Sequence, residues 1–489
     1  MMTRKARSQR QGRVLGCVSA CTLLVMGLVA AINLAVPKLA ASGLHPSAPQ
    51  LLWIVDAYVV VFACLVIPGG AAGDRFGRKG VLMSGLIVFA IGAGISAVAP
   101  SVVILLTGRA ITGLGAALVL PNCVGILVHA TAPEHRRRAL ATWGAVSGMG
   151  GVVGNIAGGA LLTSGSWRIL FAAVVPVALA CVIWAALVTS PSSRSARDLD
   201  PVGTVLLVAA TVALLTGIIE GPEQGWSSVL VIAAFGLSVA LAAVWITVEL
   251  RARHPLLDPR LFRIPALSGA SLGMLVTFFG SFGLFYLNAS LLQYSRGYSV
   301  LQTGFGILPL AVPLLVVSRF VPRLVARAGI PATVGAAFAA ISAGLFGLSV
   351  AAHQSYVAYA VWLAVVGVGF ALALPSLSAE LTAALPPEQA GVAGGLQAST
   401  RELGSALGVA VVGTVLTAVF TEHLPASLLR QHPVSRTVAE ALAVAPVRHA
   451  AIIEAFTTGA VTALRIASVV TLVAGALVVA GAVRAGRRA

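Results

Sequence analysis

The sequence predicts an all-α integral membrane protein that crosses the bilayer fourteen times. Three observations support this prediction. The 489 residues are 58% hydrophobic and 10% charged, with a mean hydropathy of +0.98, whereas a soluble domain has about 25% charged residues. Long apolar runs follow one another with short gaps, and basic residues collect in alternate gaps. These features indicate one membrane-embedded unit rather than several soluble domains.

The apolar runs define the predicted helices, because a spanning helix needs about 20 predominantly apolar residues. The first run exceeds the apolar core of a secretory signal peptide, so we expect an uncleaved first helix. The predicted helices cover residues 14–36, 51–72, 81–99, 101–130, 139–163, 169–189, 202–219, 228–250, 266–292, 300–321, 332–351, 355–378, 392–420 and 462–483.

The net charge of +17 fits either a nucleic-acid-binding domain or a membrane protein with basic cytoplasmic loops. With the N-terminus inside, most of the 32 Lys and Arg residues fall in the two terminal segments and alternate loops. We therefore expect both termini in the cytoplasm and no nucleic-acid partner. The preference for Arg over Lys and the Ala- and Gly-rich composition indicate a GC-rich bacterium, which predicts the bacterial inner membrane as the location.

An internal repeat divides the chain. The first six predicted helices cover fewer residues than the shift between the two copies of the repeat, so an insert must separate the copies. Two parallel halves are typical of transporters. We predict a six-helix half at 1–190, an inserted helix pair with linkers at 191–263, and a second six-helix half at 264–489. At one constant shift, Gly113, Gly115, Gly150, Gly154 and Gly159 recur as Gly367, Gly369, Gly404, Gly408 and Gly413.

The loop after the second helix reads GAAGDRFGRK over residues 70–79. An acid beside three bases in a glycine-containing turn can pair with neighbouring helix ends, whose dipoles attract charge. Such a latch can break and re-form as two halves rock. Its expected members are Gly70, Asp74, Arg75, Gly77 and Arg78. The second half keeps only a remnant, in which Ala326 replaces the acid.

Two further stretches have specific patterns. Arg109 lies inside the fourth apolar run, ahead of a Gly-rich stretch that ends at Pro121. The fifth run reads GGVVGNIAGG over residues 150–159. Small residues at helical spacing allow two helices to approach closely. The expected close-packing set is Gly150, Gly154, Asn155, Gly158 and Gly159.

These stretches resemble motifs A, B and C of the major facilitator superfamily. The residues WIVDAY at 53–58 and PLLDPRLF at 255–262 resemble its fourteen-helix drug:H⁺ antiporter branch. The resemblance implies a major facilitator fold with six helices, two inserted helices and six more. It also implies proton-coupled export of small drug-like or antibiotic molecules by alternating access. The expected protein is a monomer with a small-molecule substrate, protons and lipid as partners, and with no cofactor and no metal.

Asp56, about five residues into the second helix, is the best candidate proton carrier, because intramembrane carboxyl groups are costly and usually functional. We place Arg109, Tyr58 and Asn33 with it as proton or substrate residues. Glu402, beside Arg401 in the thirteenth helix, is a second acid candidate. The sequence departs from the antiporter branch at residues 28–31, which have no charge where the branch often has an acid.

Phe278, Phe282 and Phe285 recur at helical spacing in the ninth helix. Such a stripe is suited to a cavity that binds flat apolar molecules through stacking and cation–π contacts. The same spacing is typical of a face in lipid or in the protein core, and the sequence leaves both readings open.

Other functions remain as alternatives. The same fold exports specific metabolites or imports nutrients with protons, and the glycines at 150–159 favour antiport. A membrane-embedded enzyme or a receptor belongs to a different class. The sequence has no His-Glu-x-x-His pattern and no Walker-type phosphate loop, so we expect no enzymatic activity.

Overall fold

The computed structural model describes residues 4–163, 165–190, 200–252, 255, 257–385, 390–429 and 435–486. Every regular element within these ranges is helical. Thirteen of the described helices are long and apolar enough to cross a membrane, and the apolar part of the predicted fifth helix is shorter, at Met149–Thr163. This pattern confirms the predicted all-α membrane class and matches the fourteen predicted spans.

The first six helices are α1 (Arg4–Ala40), α2 (Ala48–Phe76), α3 (Arg78–Val98), α4 (Val102–Ala130), α5 (Pro133–Thr163) and α6 (Arg168–Val188). Local chemistry sets their ends. Ser47 and Gln50 form a capping box at the start of α2, and the Ser101 hydroxyl accepts from the Ile104 amide at the start of α4. Gly77, with φ of 101°, makes the turn from α2 into α3.

The later helices are α7 (Pro201–Gln224), α8 (Val229–Arg251), α9 (Pro265–Ser290), α10 (Val300–Phe305), α11 (Leu308–Val317), α12 (Val321–Ala351), α13 (Tyr356–Ala383), α14 (Ala390–Glu422), α15 (Ala426–Leu429), α16 (Val438–Val444) and α17 (His449–Gly486). The predicted tenth span consists of α10 and α11, and α12 contains a non-helical residue, Gly329, with φ of 80°. The last long helix begins before its apolar run, at His449.

The pair α7 and α8 packs together, and α7 also packs against α2 and α14. The Thr414 hydroxyl in α14 donates to the Ile218 carbonyl of α7 at 3.0 Å. In contrast, α8 presents large exposed apolar side chains such as Val229 and Val239, as a lipid-facing helix does. The predicted boundary between residues 190 and 191 adjoins 191–199, which lie outside the described residues, so the predicted division into two halves and an insert stays a prediction.

Repeat-related glycines make equivalent contacts in the two halves. Gly159 in α5 faces the start of α10, where an added Cβ would lie 3.0 Å from the Val300 carbonyl oxygen. Its counterpart Gly413 in α14 faces the start of α2, where an added Cβ would collide with Leu52. Each half thus uses the same small residue to approach the second helix of the other half, which supports the duplication inferred from the sequence.

Contacts between the two halves lie near the middle of the bundle and at one of its ends. We call the end at residues 70–79 the basic end and the opposite end the distal end. Near the distal end, the Gln293 side-chain amide donates to the Leu34 carbonyl at 3.3 Å. Near mid-bundle, the Ser399 hydroxyl donates to the Ala63 carbonyl at 3.2 Å. Together with the Gly159 and Gly413 contacts, these bonds fasten the distal end.

Candidate transport site

Asp56 lies on α2 and its side chain is fully buried. Among the described residues, neither of its carboxyl oxygens accepts a hydrogen bond. Most buried polar groups in proteins have a partner, so an exception calls for an explanation. An ionised carboxyl in such a place is costly, whereas a protonated one costs far less.

Arg109 on α4 is the largest of the fully buried side chains. Its Nε donates to the Ile54 carbonyl at 2.8 Å and its Nη2 donates to the Val55 carbonyl at 3.3 Å. The guanidinium also lies 4.8 Å from the centre of the Tyr58 ring. Arg109 therefore binds the backbone of α2 just before Asp56 instead of forming a salt bridge with its carboxyl.

This packing brings three predicted residues together, since the Arg109 guanidinium binds the carbonyl that precedes Asp56 and lies over the Tyr58 ring. In the described part of the chain, the Tyr58 hydroxyl and the Arg109 Nη1 are also buried without a hydrogen-bond partner. Asp56, Tyr58 and Arg109 thus form a buried cluster in which each side chain has at least one polar atom without a hydrogen-bond partner among the described residues.

Asn33 lies apart on α1. Its amide nitrogen donates to the carbonyls of Val29 and Ala30 at 3.4 Å each, within its own helix. Its Oδ1 is buried without a partner among the described residues. The structure gives Asn33 an unsatisfied acceptor, but no hydrogen bond joins it to the Asp56 cluster.

Glu402 on α14 is buried but paired. The Arg401 Nε lies 2.6 Å from the Glu402 Oε1, and 25% of the Arg401 side chain is exposed. The guanidinium carbon of Arg401 is 5.9 Å from the centres of two rings, Phe278 on α9 and Phe62 on α2. Sequence reasoning missed Phe62, although it lies one turn after Tyr58, and the centres of these two rings are 5.9 Å apart.

The predicted aromatic stripe is continuous. Ring centres are 6.3 Å apart for Phe278 and Phe282, and 5.6 Å apart for Phe282 and Phe285. All three side chains are partly buried. Because Arg401 and Phe62 adjoin the Phe278 end of the stripe, that end lies at the contact between the two halves.

The predicted loop at 70–79 is not a loop in the structure, because α2 continues to Phe76 and α3 begins at Arg78, so only the turn at Gly77 separates them. An ion pair spans this turn. Arg78 Nε donates to Asp74 Oδ1 at 2.9 Å, and its Nη2 lies 2.7 Å from the same oxygen. Arg75 packs over the ring of the exposed Phe76 at 5.6 Å. Lys79 is the third base of the stretch but was not among the expected latch members. Its ammonium group donates to two carbonyls at the end of α6, Ala186 at 2.7 Å and Thr189 at 2.8 Å.

Gly70 packs against α4, where an added Cβ would lie 3.4 Å from the Pro121 side chain. The turn at Gly77 directs the Arg78 side chain onto α4, at Gly125. The end of α2 and the start of α3 thus pack against α4 within the first half. The role of this segment as a latch stays a prediction.

The glycines at 150–159 pack α5 against α1. Added Cβ atoms at Gly150, Gly154 and Gly158 would collide with Met26, Gly27 and Ala31 or come unusually close to them. The Asn155 side chain donates to the Gly151 carbonyl of its own helix at 2.8 Å. The close packing expected of these glycines is present, and α5 runs as one helix through Asn155.

Residues 18–409 match the sequence profile of the Major Facilitator Superfamily. The chain belongs to this superfamily. The predicted family is therefore confirmed, and it accounts for the paired halves and for the stretches at 70–79 and 150–159. Membership makes the chain a multi-pass membrane transporter rather than an enzyme.

Several related members of the superfamily are named for drug resistance or export. Multidrug resistance protein Stp of Mycobacterium tuberculosis is 32% identical over 405 residues, which cover 82% of this chain and 75% of that protein. Methylenomycin A resistance protein of Streptomyces coelicolor is 31% identical over 81% of this chain and 85% of its own. Cephamycin export protein CmcT of Amycolatopsis lactamdurans is 35% identical over 84% of this chain and 86% of that protein.

Solved structures confirm the major facilitator fold. A bacterial homologue of the human lysosomal transporter Spinster has a TM-score of 0.67 at 17% identity, covering 97% of this chain and 98% of that one. A POT family peptide transporter has a TM-score of 0.64 at 16% identity, covering 97% of both chains. Likeness at these identities shows the fold alone.

Proposed function

We propose that this superfamily member exports small drug-like or antibiotic molecules in exchange for protons. The relatives support the choice of cargo, because their names describe multidrug resistance, resistance to an antibiotic and export of an antibiotic. Proton coupling is supported by one observation above all: Asp56 is a buried carboxyl without a hydrogen-bond partner among the described residues.

The chemistry of Asp56 explains how a proton would be held. Binding a proton removes the cost of an unpaired buried charge. The nearby guanidinium of Arg109 favours the ionised form, so protonation responds to small changes in the surroundings of the pair. A substrate that enters beside Tyr58 would change those surroundings and release the proton. Tyr58 would supply a polar atom beside Asp56, and Asn33 would supply a second one from α1.

The two halves, 1–190 and 264–489, would rock about the site, with the 191–263 pair beside them. The contacts at the distal end would have to break for that end to open, and the charge pattern assigns the basic end to the cytoplasm of a bacterial cell. The Asp74–Arg78 latch and the α1–α5 glycine contacts would guide the movement of the two halves.

The energy supply is sufficient for export. One proton that moves down a membrane potential of about 100 mV releases about 2.3 kcal/mol. At 1.36 kcal/mol for each factor of ten, this sustains a substrate gradient of about fifty-fold. A pH difference across the membrane would increase it.

Reconstituted vesicles test the proposal. The purified protein is placed in liposomes with an imposed pH gradient, and the uptake of a fluorescent dye, ethidium, is followed with and without an uncoupler. We expect uptake that requires the gradient and acidifies the external medium as protons leave the vesicle. Dye uptake that the uncoupler does not change would contradict antiport. Movement of dye and protons in the same direction would indicate symport.

A further inference from the structure

The contact between the halves near mid-bundle contains an arginine between two aromatic rings. Arg401 on α14 approaches Phe278 on α9 and Phe62 on α2, at 5.9 Å from each ring centre. Cation–π attraction extends to about 6 Å, so Arg401 lies near the outer limit of the interaction with both rings. Its firm contact is the 2.6 Å ion pair with Glu402.

The same spacing suits an aromatic ring better than it suits a guanidinium. Aromatic rings attract one another at centroid separations of about 4.5–7 Å. A ring centred at the Arg401 guanidinium carbon would lie 5.9 Å from both phenylalanine rings. Phe62 is fully buried, and Arg401 occupies the position that such a ring would take.

We propose that Phe62 and Phe278 form a subsite for a planar aromatic group of the substrate, and that the substrate displaces Arg401 from it. This inference rests on the proposed function, because it names the substrate class of the same site. One ring comes from each half, so a bound ligand would touch both bodies that move during transport.

The subsite also adjoins the proton site. Phe62 contacts Tyr58 with ring centres 5.9 Å apart, and Tyr58 lies under the guanidinium of Arg109 at 4.8 Å. A ligand on Phe62 would therefore lie next to Tyr58, which belongs to the Asp56 cluster. Displaced Arg401 would keep Glu402 as its partner, so no charge is left uncompensated.

Binding to the purified protein, without a proton gradient, tests the subsite. The probes are ethidium, which is planar and aromatic, and tetrabutylammonium, which is an aliphatic cation. We expect Phe62→Leu and Phe278→Leu each to weaken ethidium binding by about fivefold, because each variant removes one aromatic contact with the ligand. Tetrabutylammonium binding should stay within about twofold. Phe62→Trp should retain ethidium binding, and Phe346→Leu, on an exposed position of α12, is the matched control.

A double variant tests the displacement of Arg401. Arg401→Gln with Glu402→Gln removes the guanidinium and its partner together, and it should bind ethidium at least as tightly as the unchanged protein. A loss of affinity in this variant, an equal loss for both probes in Phe62→Leu, or no binding of ethidium to the unchanged protein would overturn the subsite. Intact ethidium binding without proton-driven export would count against the proposed function alone.

Discussion

The two candidate acids, one in each half, differ in whether a partner binds the carboxyl group. Asp56 in the N-terminal half is buried with no hydrogen-bond partner among the described residues, and its neighbour Arg109 binds backbone carbonyls. Glu402 in the C-terminal half forms a 2.6 Å ion pair with the next residue, Arg401. The repeat-related positions hold Leu310 and Gly148, which have no charge. Duplication thus kept the packing glycines in both halves, whereas the charged groups diverged.

The difference indicates which acid is suited to exchange a proton. A paired carboxylate is stabilised in its ionised form by its partner, so it binds a proton less readily. The Asp56 carboxyl has a guanidinium nearby but accepts no hydrogen bond among the described residues, so its ionised form is stabilised less directly. We therefore expect the N-terminal half to hold the coupling group and the C-terminal half to hold a charge-compensated pair near the substrate.

The largest expected effect comes from Asp56→Asn. Asparagine has nearly the same shape but cannot take up and release a proton, so dye uptake driven by a pH gradient should fall to the background of empty liposomes. Ethidium binding and membrane insertion should persist. Asp258→Asn, an acid that caps a short turn outside the long helices, is the control and should transport normally. Full transport by Asp56→Asn would remove Asp56 from the coupling role.

A smaller effect is expected for Arg109→Lys. The lysine keeps the positive charge but loses the two-pronged bond to the Ile54 and Val55 carbonyls, which should lower the free energy of unfolding by about 1–3 kcal/mol. Gradient-driven uptake should fall as well, because the charge beside Asp56 is displaced. Thermal unfolding and uptake assays measure the two effects.

A matched control separates stability from coupling. Arg168 also donates to two carbonyls, those of Ala97 and Ala99, and stacks on Trp167. Arg168→Lys should lower stability by a similar amount but leave gradient-driven uptake unchanged at temperatures where the protein is folded. Equal transport losses in the two variants would assign Arg109 a structural role only.

The smallest effect is expected for Glu402→Gln. Glutamine keeps a hydrogen-bond acceptor for Arg401, and the partly exposed guanidinium of Arg401 can be solvated when Glu402 loses its charge. Gradient-driven uptake should therefore fall by less than about tenfold. A loss of uptake as complete as that of Asp56→Asn would show that both halves take part in proton coupling. The proposed difference between the two acids would then be wrong.

The sequence predicted the helices well because length and hydropathy decide which segments cross a bilayer. The break between α10 and α11 and the early start of α17 were not predicted. Hydropathy does not report a backbone break inside an apolar run, and the start of α17 includes a charged residue, Glu454. The sequence singled out Asp56 because a charge within an apolar run is conspicuous.

Contacts between helices could not be predicted from the sequence. Arg109 was expected to act with an acid, but its bonds to the α2 carbonyls depend on how α2 and α4 cross. Phe62 was missed because one phenylalanine in an apolar helix gives no signal of the face it occupies. Only the packing of α2 against α14 places it beside Arg401.

The position of α7 has a consequence for the lipid around the transporter. Because α7 packs against both α2 and α14, and Thr414 donates to its Ile218 carbonyl, it covers the seam where the two halves meet on that side. Acyl chains are thereby kept from this seam. A lipophilic molecule that approached from the bilayer on that side would meet α7 before it reached the contact between α2 and α14.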